Sequence, residues 1–313
     1  MSTSCDAVLM IGFGGPTALE QVRPFLANVV AGRPIPAARL EEVVGHYAAI
    51  GGASPYNAHT QRQAQALERA LGEIGLQVPV HVGMRNWEPY LREAVAALAQ
   101  GGARQVVGVV LAAHRCEASW ERYLHATAQA LSELGPQAPA IEYLPPWHDH
   151  PLFIRAVAAR TRAALERLDE ARRLETELIF TAHSIPVAMA ARSRYTQELA
   201  QSARLVAQEL GIERWRLAYQ SRSGAPHEPW LEPDLEHVLA DLRGGSAVLV
   251  PLGFLCDHVE VVYDLDIEAR ALARKLDLRM ERAGTVGDHP LFIRMLANLI
   301  ATHRHGVAER CAG

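Results

Sequence analysis

Eight short apolar runs punctuate this chain, and between most of them the apolar positions recur at the spacing of a helix. The first run, AVLMIGF at 7–13, is continuous and stops at Gly14-Gly15-Pro16. A strand buried on both faces behaves this way before a tight turn. Further strands are predicted at 78–84, 106–113, 141–144, 178–182, 216–219, 247–252 and 278–282. Helical patterns lie at 18–30, 38–48, 58–74, 90–99, 119–134, 152–168, 197–210, 234–242 and 289–302. Such alternation predicts an α/β fold with parallel sheets and crossover helices.

The chain also repeats itself. DHPLFIR at 149–155 returns unchanged at 288–294, each time after a short strand and at the start of a helix. Seven identical residues in the same setting predict two similar α/β halves, 1–148 and 149–313, with a cleft between them. Ligands of open α/β sheets bind beyond the carboxyl ends of the strands. Those ends carry Phe13-Gly14-Gly15, His114-Arg115, His183-Ser184 and the run from Cys256 to Glu260.

Beyond 257–260 a second pattern appears. Glu260, Asp264 and Glu268 are spaced by four, which on a helix makes one stripe about 12 Å long at about 1.5 Å per residue. Stacked carboxylates repel, so a compensating partner is expected. The stripe reads either as a solvated helix face or as a track for cations or protons. His183 facing Glu260 would combine an imidazole with a carboxylate, a pair suited to proton abstraction and to a divalent metal. An unperturbed His183, titrating near about 6.5, could act as the base.

Composition narrows the classes. The 313 residues carry a net charge of −4, with no basic stretch to suggest a nucleic-acid groove. No apolar run is long enough to span a bilayer, and the N-terminus lacks the pattern of a secretory signal, so a soluble cytoplasmic protein is expected. Cys5, Cys116, Cys256 and Cys311 are scattered without a CxxC pair, unlike a disulfide framework or zinc ribbon. Gly14-Gly15 lacks the rest of a GxGxxG and the lysine of a P-loop. No GxSxG elbow supports a hydrolytic triad.

Taken together, IGFGGP (11–16), HYAAIGGASPYN (46–57), GMRNWEP (83–89), FTAHSIP (180–186), QSRSGAPHEPWLEPD (220–234) and PLGFLCDHVEVVYDLDIE (251–268) resemble the ferrochelatase family. They cover nearly the whole chain in order. The likeness is to the short bacterial type that inserts ferrous iron into coproporphyrin III, giving coproheme in haem b biosynthesis, and the wording of GFGGP, RNW and QSRSG is similar to its actinobacterial branch. The resemblance implies two similar Rossmann-like lobes with a porphyrin held in the cleft between them, His183 and Glu260 as the catalytic and metal-binding pair in the second lobe, and Asp264 and Glu268 as a metal or proton path. It also implies porphyrin contacts at Ser54, Tyr123, Phe13, His46 and Tyr47. Basic and hydroxyl groups that could receive propionates are Arg33, Arg115, Ser54, Tyr47 and Tyr123.

The same resemblance makes Fe2+ and porphyrin substrates, implies no permanently bound cofactor, and adds a downstream haem-pathway enzyme as a partner. Phe13 stands where some relatives have an iron-ligating Tyr, so an axial tyrosinate does not carry over. Cys256 stands where a small residue such as Ser is usual. Only Cys311 lies in the tail, so no [2Fe-2S] cluster is expected. Alternatives are a protoporphyrin IX ferrochelatase, a sirohydrochlorin-type cobalt or nickel chelatase, and a non-catalytic porphyrin or haem carrier.

Overall fold

The computed structural model describes residues 5–30, 36–223 and 227–310, with side chains to residue 303. Arg33 and Cys311 lie outside the described residues. All eight predicted strands form: β1 Ala7–Gly12, β2 Val80–Met84, β3 Gln105–Val110, β4 Ala140–Tyr143, β5 Glu177–His183, β6 Trp215–Gln220, β7 Ser246–Val250 and β8 Arg279–Arg282. They build two four-stranded sheets with the orders β2-β1-β3-β4 and β6-β5-β7-β8. Every pairing is parallel. The second sheet therefore repeats the topology of the first, as the duplicated heptapeptide predicts.

The all-apolar runs become the interior strands because helices cover both faces of a parallel sheet. All six residues of β1 and all five of β7 are buried. Edge strand β4, in contrast, alternates exposed and half-buried positions.

The chain divides into two compact units, but not at a single point. One comprises residues 1–111, 118–146 and 288–313, the other 112–117 and 147–287. The expected division at 148/149 thus differs from the structure at the far end and in one short loop. After β8, helix Pro290–Arg310 packs on helix Tyr56–Glu73 of the first unit. After β4, helix Pro151–Leu165 packs on β7 and β8 of the second. Each copy of DHPLFIR therefore marks a place where the chain leaves one unit for the other.

The two copies do the same local work. His150 Nδ1 accepts the Leu152 N–H at 3.1 Å, His289 Nδ1 accepts that of Leu291 at 3.2 Å, and a proline follows each histidine at the first helical position. A side-chain cap plus proline satisfies the helix start. No helix among the described residues is long and apolar enough to cross a membrane.

Candidate metal and porphyrin site

In the second unit, β5 ends at His183 and delivers its side chain beyond the sheet. The Nδ1–H donates to the Ser184 carbonyl, which fixes Nε2 as the outward nitrogen. Nε2 lies 3.4 Å from Glu260 Oε1. The backbone is held from behind, where Tyr195 Oη donates to the His183 carbonyl at 2.9 Å and Ser184 Oγ donates to the Leu231 carbonyl at 2.9 Å. Ser184 thus points away from His183 chemistry, as its sequence position suggests.

The expectation of an unperturbed imidazole does not hold. Burial alone would lower the His183 pKa, but the Glu260 charge and hydrogen bond, aided by Ser184 and Asp264, outweigh it and raise it to about 9. At neutral pH the metal-free His183 is an imidazolium beside Glu260. His183 consequently holds a proton there that an arriving cation must displace.

Glu260 comes from the helix that follows β7. His258 caps it, accepting the Glu260 N–H at 3.2 Å on Nδ1, the same bond that opens the two DHPLFIR helices. The segment Val259–Val261 is α-helical, Val262–Ala269 is a π-helix, and Arg270–Lys275 returns to α. The acidic stripe expected on an α-helix therefore lies largely on a wider one, with i→i+5 bonds. Its inner face shows why. Val261, Leu265, Ala269 and Ala273 are all buried in the core of this unit, also spaced by four. In an α-helix each step of four drifts by about 40°, so three steps would turn the stripe well off the core. Widening the helix keeps both the apolar stripe and the acidic stripe one residue before it in line.

Asp264 is not a solvated surface carboxylate. Its Oδ2 accepts from Ser221 Oγ and from Gln220 Nε2 at 3.2 Å, while Gln220 also donates to the Glu260 carbonyl at 2.7 Å. Burial raises the Asp264 pKa to about 7, with Glu260 and Glu268 adding to the rise against the pull of Ser221 and Gln220. Ser221 adopts φ 59°, a left-handed conformation uncommon for serine. Beside these groups lies a cavity of about 410 Å3 whose lining includes Gln220, Ser221, Trp230, His237, Asp264 and Glu268. Glu268 is exposed.

Gln220 and Ser221 were missed by sequence reasoning, although one ends β6 and the other follows it, and both obey the rule that picked His183. Arg85, directly after β2 in the first unit, was missed the same way. Its guanidinium carbon sits 5.9 Å from the Phe13 ring centroid and 5.8 Å from that of Tyr123. Phe13 and Tyr123 are thus brought together around one cation.

Of the other first-unit residues, Tyr47 and Ser54 are buried. Tyr47 is 3% exposed and meets Phe25 edge-on, and Ser54 is 6% exposed with its Oγ accepting the Tyr56 N–H at 3.3 Å. His46 is half-buried, and burial followed by the nearby Arg39 charge lowers its pKa. Arg115, expected to receive propionates, is committed elsewhere. Its backbone N–H, at 2.8 Å, and its guanidinium grip Glu198, which is 1% exposed. A buried carboxylate needs that partner, so this cation is structural. Cys116 and Cys256 are buried.

A family model described as Ferrochelatase matches residues 5–304. The coproporphyrin III ferrochelatase of Nocardia farcinica is 42% identical, an alignment covering 98% of this chain and 91% of that protein. The coproporphyrin III ferrochelatase of Mycolicibacterium smegmatis is 41% identical, with 98% and 92% covered. A ferrochelatase of Rhodopirellula baltica is 37% identical, with 94% and 85% covered. Among solved structures, SirB from Bacillus subtilis with Fe3+ aligns with a TM-score of 0.61 at 14% identity, covering 95% of this chain and 94% of that one. At that identity the likeness speaks for the chelatase fold alone. Family model and full-length relatives agree: this chain belongs to the ferrochelatase family.

Proposed function

We propose that this protein inserts Fe2+ into coproporphyrin III to form coproheme, with His183 and Glu260 at the point of insertion. The carrying observation is His183 at the end of β5, 3.4 Å from Glu260 and backed by the half-buried Asp264 carboxyl poised near neutrality. Relatives named for this reaction at about 40% identity over nearly the full chain support it.

The chemistry exchanges two pyrrole protons for one ferrous ion. Imidazole and carboxylate hold Fe2+ without the grip of thiolates, which suits an ion that must be passed on. Binding of the cation displaces the shared proton from the pair. Asp264, with a pKa of about 7, can take up and release protons at working pH, and Glu268 continues the path to solvent. This favours a proton or metal track over a merely solvated helix face.

In the first unit, Arg85, Phe13 and Tyr123 supply a cation between aromatic rings, suited to a propionate and the ring edge. Ser54, His46 and Tyr47 would shape that side. With this reading go a cytoplasmic location, no permanently bound cofactor or [2Fe-2S] cluster, and a downstream haem-pathway enzyme that takes the product. The test is an absorbance assay with Fe2+ and each porphyrin side by side. Coproporphyrin III should be metallated far more efficiently than protoporphyrin IX. Equal or reversed efficiency would overturn the substrate assignment, and binding without metallation would overturn the reaction.

A further inference from the structure

Between residues 257 and 268 the chain carries five carboxylates, Asp257, Glu260, Asp264, Asp266 and Glu268. Their mutual repulsion needs an offset, and the structure supplies one at the end of β8. Arg282 meets Asp257 with two bonds, Nη1 to Oδ1 at 3.2 Å and Nη2 to Oδ2 at 3.1 Å. It meets Asp266 with two more, Nε to Oδ1 at 2.9 Å and Nη2 to Oδ2 at 2.6 Å. The side chain of Arg282 is only 14% exposed. Thr285 Oγ1 donates to Asp257 Oδ1 at 2.9 Å, completing the cluster.

The placement of this clamp matters more than its presence. β6 and β8 are the two edges of the second sheet, and His183 ends β5 between them. Asp264 is tied to the end of β6 through Gln220 and Ser221, while Asp266, two residues on in the same π-helix, is tied to the end of β8 through Arg282. The helix is thereby tethered at both edges, with Glu260 opposite His183. We propose that Arg282 is a positioning residue, whose bidentate hold on Asp257 and Asp266 fixes the rotation of the π-helix that aims Glu260 and Asp264 at the insertion point.

Arginine is suited to this task because its planar fork engages two carboxylates at once, and lysine, a point charge, cannot reproduce that geometry. In the first sheet, alignment on the two DHPLFIR copies puts Tyr143 at the corresponding strand end. No comparable acidic run follows β3 there.

This inference rests on the chelatase reading, so its test includes a readout independent of turnover. Asp266→Asn leaves Arg282 paired with Asp257, which preserves the fold, and Arg282→Lys keeps the charge. Hydrogen exchange of amides 260–269 should rise at least about tenfold in both metal-free variants, while amides of β5 and β7 stay protected. Iron insertion should fall about tenfold in kcat with porphyrin affinity, followed by fluorescence quenching, unchanged. Arg270→Ala removes only a 3.9 Å exposed contact to Asp266 and should behave as wild type.

Unchanged exchange and kcat in both variants, whatever their thermal stability, would overturn the proposal. So would a kcat loss matched by an equal loss of porphyrin affinity, since the clamp would then support the whole unit. A wild-type protein that fails to insert iron would sink the chelatase reading, yet leave the exchange prediction standing.

Discussion

The two units share strand order, parallel pairing and the capped helix that follows the last strand, yet their strand ends carry different chemistry. The first unit offers Phe13 after β1 and Arg85 after β2, an aromatic and a cation. The second offers His183 at the end of β5, Gln220 and Ser221 at the end of β6, and an acidic helix after β7. On the proposed function, the same strand order carries different residues at the carboxyl edge, one unit suited to a ring and its propionates, the other to a cation and protons. That teaches where function resides in a duplicated fold, and it sets separable expectations for the two halves. Changes in the second unit should strike kcat, and changes in the first should strike substrate affinity.

The largest effect is expected at His183. His183→Ala should lower iron insertion by roughly 10³-fold, within the range for a group that moves protons, and leave porphyrin binding intact. Stopped-flow metallation alongside fluorescence binding checks this. Normal insertion by the variant would erase the distinction between the units.

Glu260→Gln comes next, with a loss of roughly 10²-fold and a changed pH dependence. The raised His183 pKa means the folded metal-free protein favours the imidazolium. Its stabilisation is fully present below about 6.5 and is lost as pH rises through about 9. Thermal midpoints of the wild type should fall across that window, and the slope should flatten in Glu260→Gln. An equally steep wild-type slope in the variant would mean that Glu260 is not the partner.

Asp264→Asn should slow turnover about tenfold and reveal a second linkage of the same sign at lower pH. A carboxyl raised from 3.8 to about 7 keeps its proton in the folded state after the unfolded chain has lost it. Stability therefore declines as pH rises through that interval and levels off above it. The asparagine variant should lack the decline and be the more stable protein at pH 7 and above. A calorimetric pH series would decide it.

Much of this arrangement can be read in the sequence. The strands are visible because a buried parallel strand must be apolar throughout, as 7–12 is. His183 and Glu260 follow from reading strand ends, reinforced by the family likeness. What escapes is set by contacts that no period encodes. Arg85, Gln220, Ser221 and Arg282 are polar residues at ends of edge strands, and the sequence places those ends to within a residue but not the side chains that meet there. The exchange of chain between units escapes because a local pattern fixes a helix but not the sheet on which it lands. The π-helix lies between these cases. A strict run of fours, at 261, 265, 269 and 273, is a sequence signature that an α-helix would have broken with a step of three.

For the first unit, Arg85→Ala should raise the KM for coproporphyrin about tenfold with kcat nearly unchanged, the scale of one charge-assisted hydrogen bond. A porphyrin with two propionates should be penalised less than one with four. A fall in kcat at constant KM would instead place Arg85 with the metal chemistry and blur the comparison.

The smallest effect concerns what the units hold in common. His150 and His289 each cap a helix through Nδ1 at 3.1 and 3.2 Å, beside two of the points where the chain passes between units. Seven identical residues could be read as a duplicated binding motif, since histidine and aspartate are metal-ligating types. Their bonds argue otherwise. Each Nδ1 is occupied by a backbone N–H, and Asp149 accepts from Gln201 at 2.8 Å within its own unit. His150→Ala and His289→Ala should each cost about 1 kcal/mol of stability, the usual value of a lost cap, and leave kcat and both substrate affinities at wild-type levels. Because His258 makes the same bond at the start of the acidic helix, His258→Ala should lose similar stability but also activity, through the helix that carries Glu260. One capping device in three places would then be silent at two and functional at the third, and only what the capped helix carries would account for the difference.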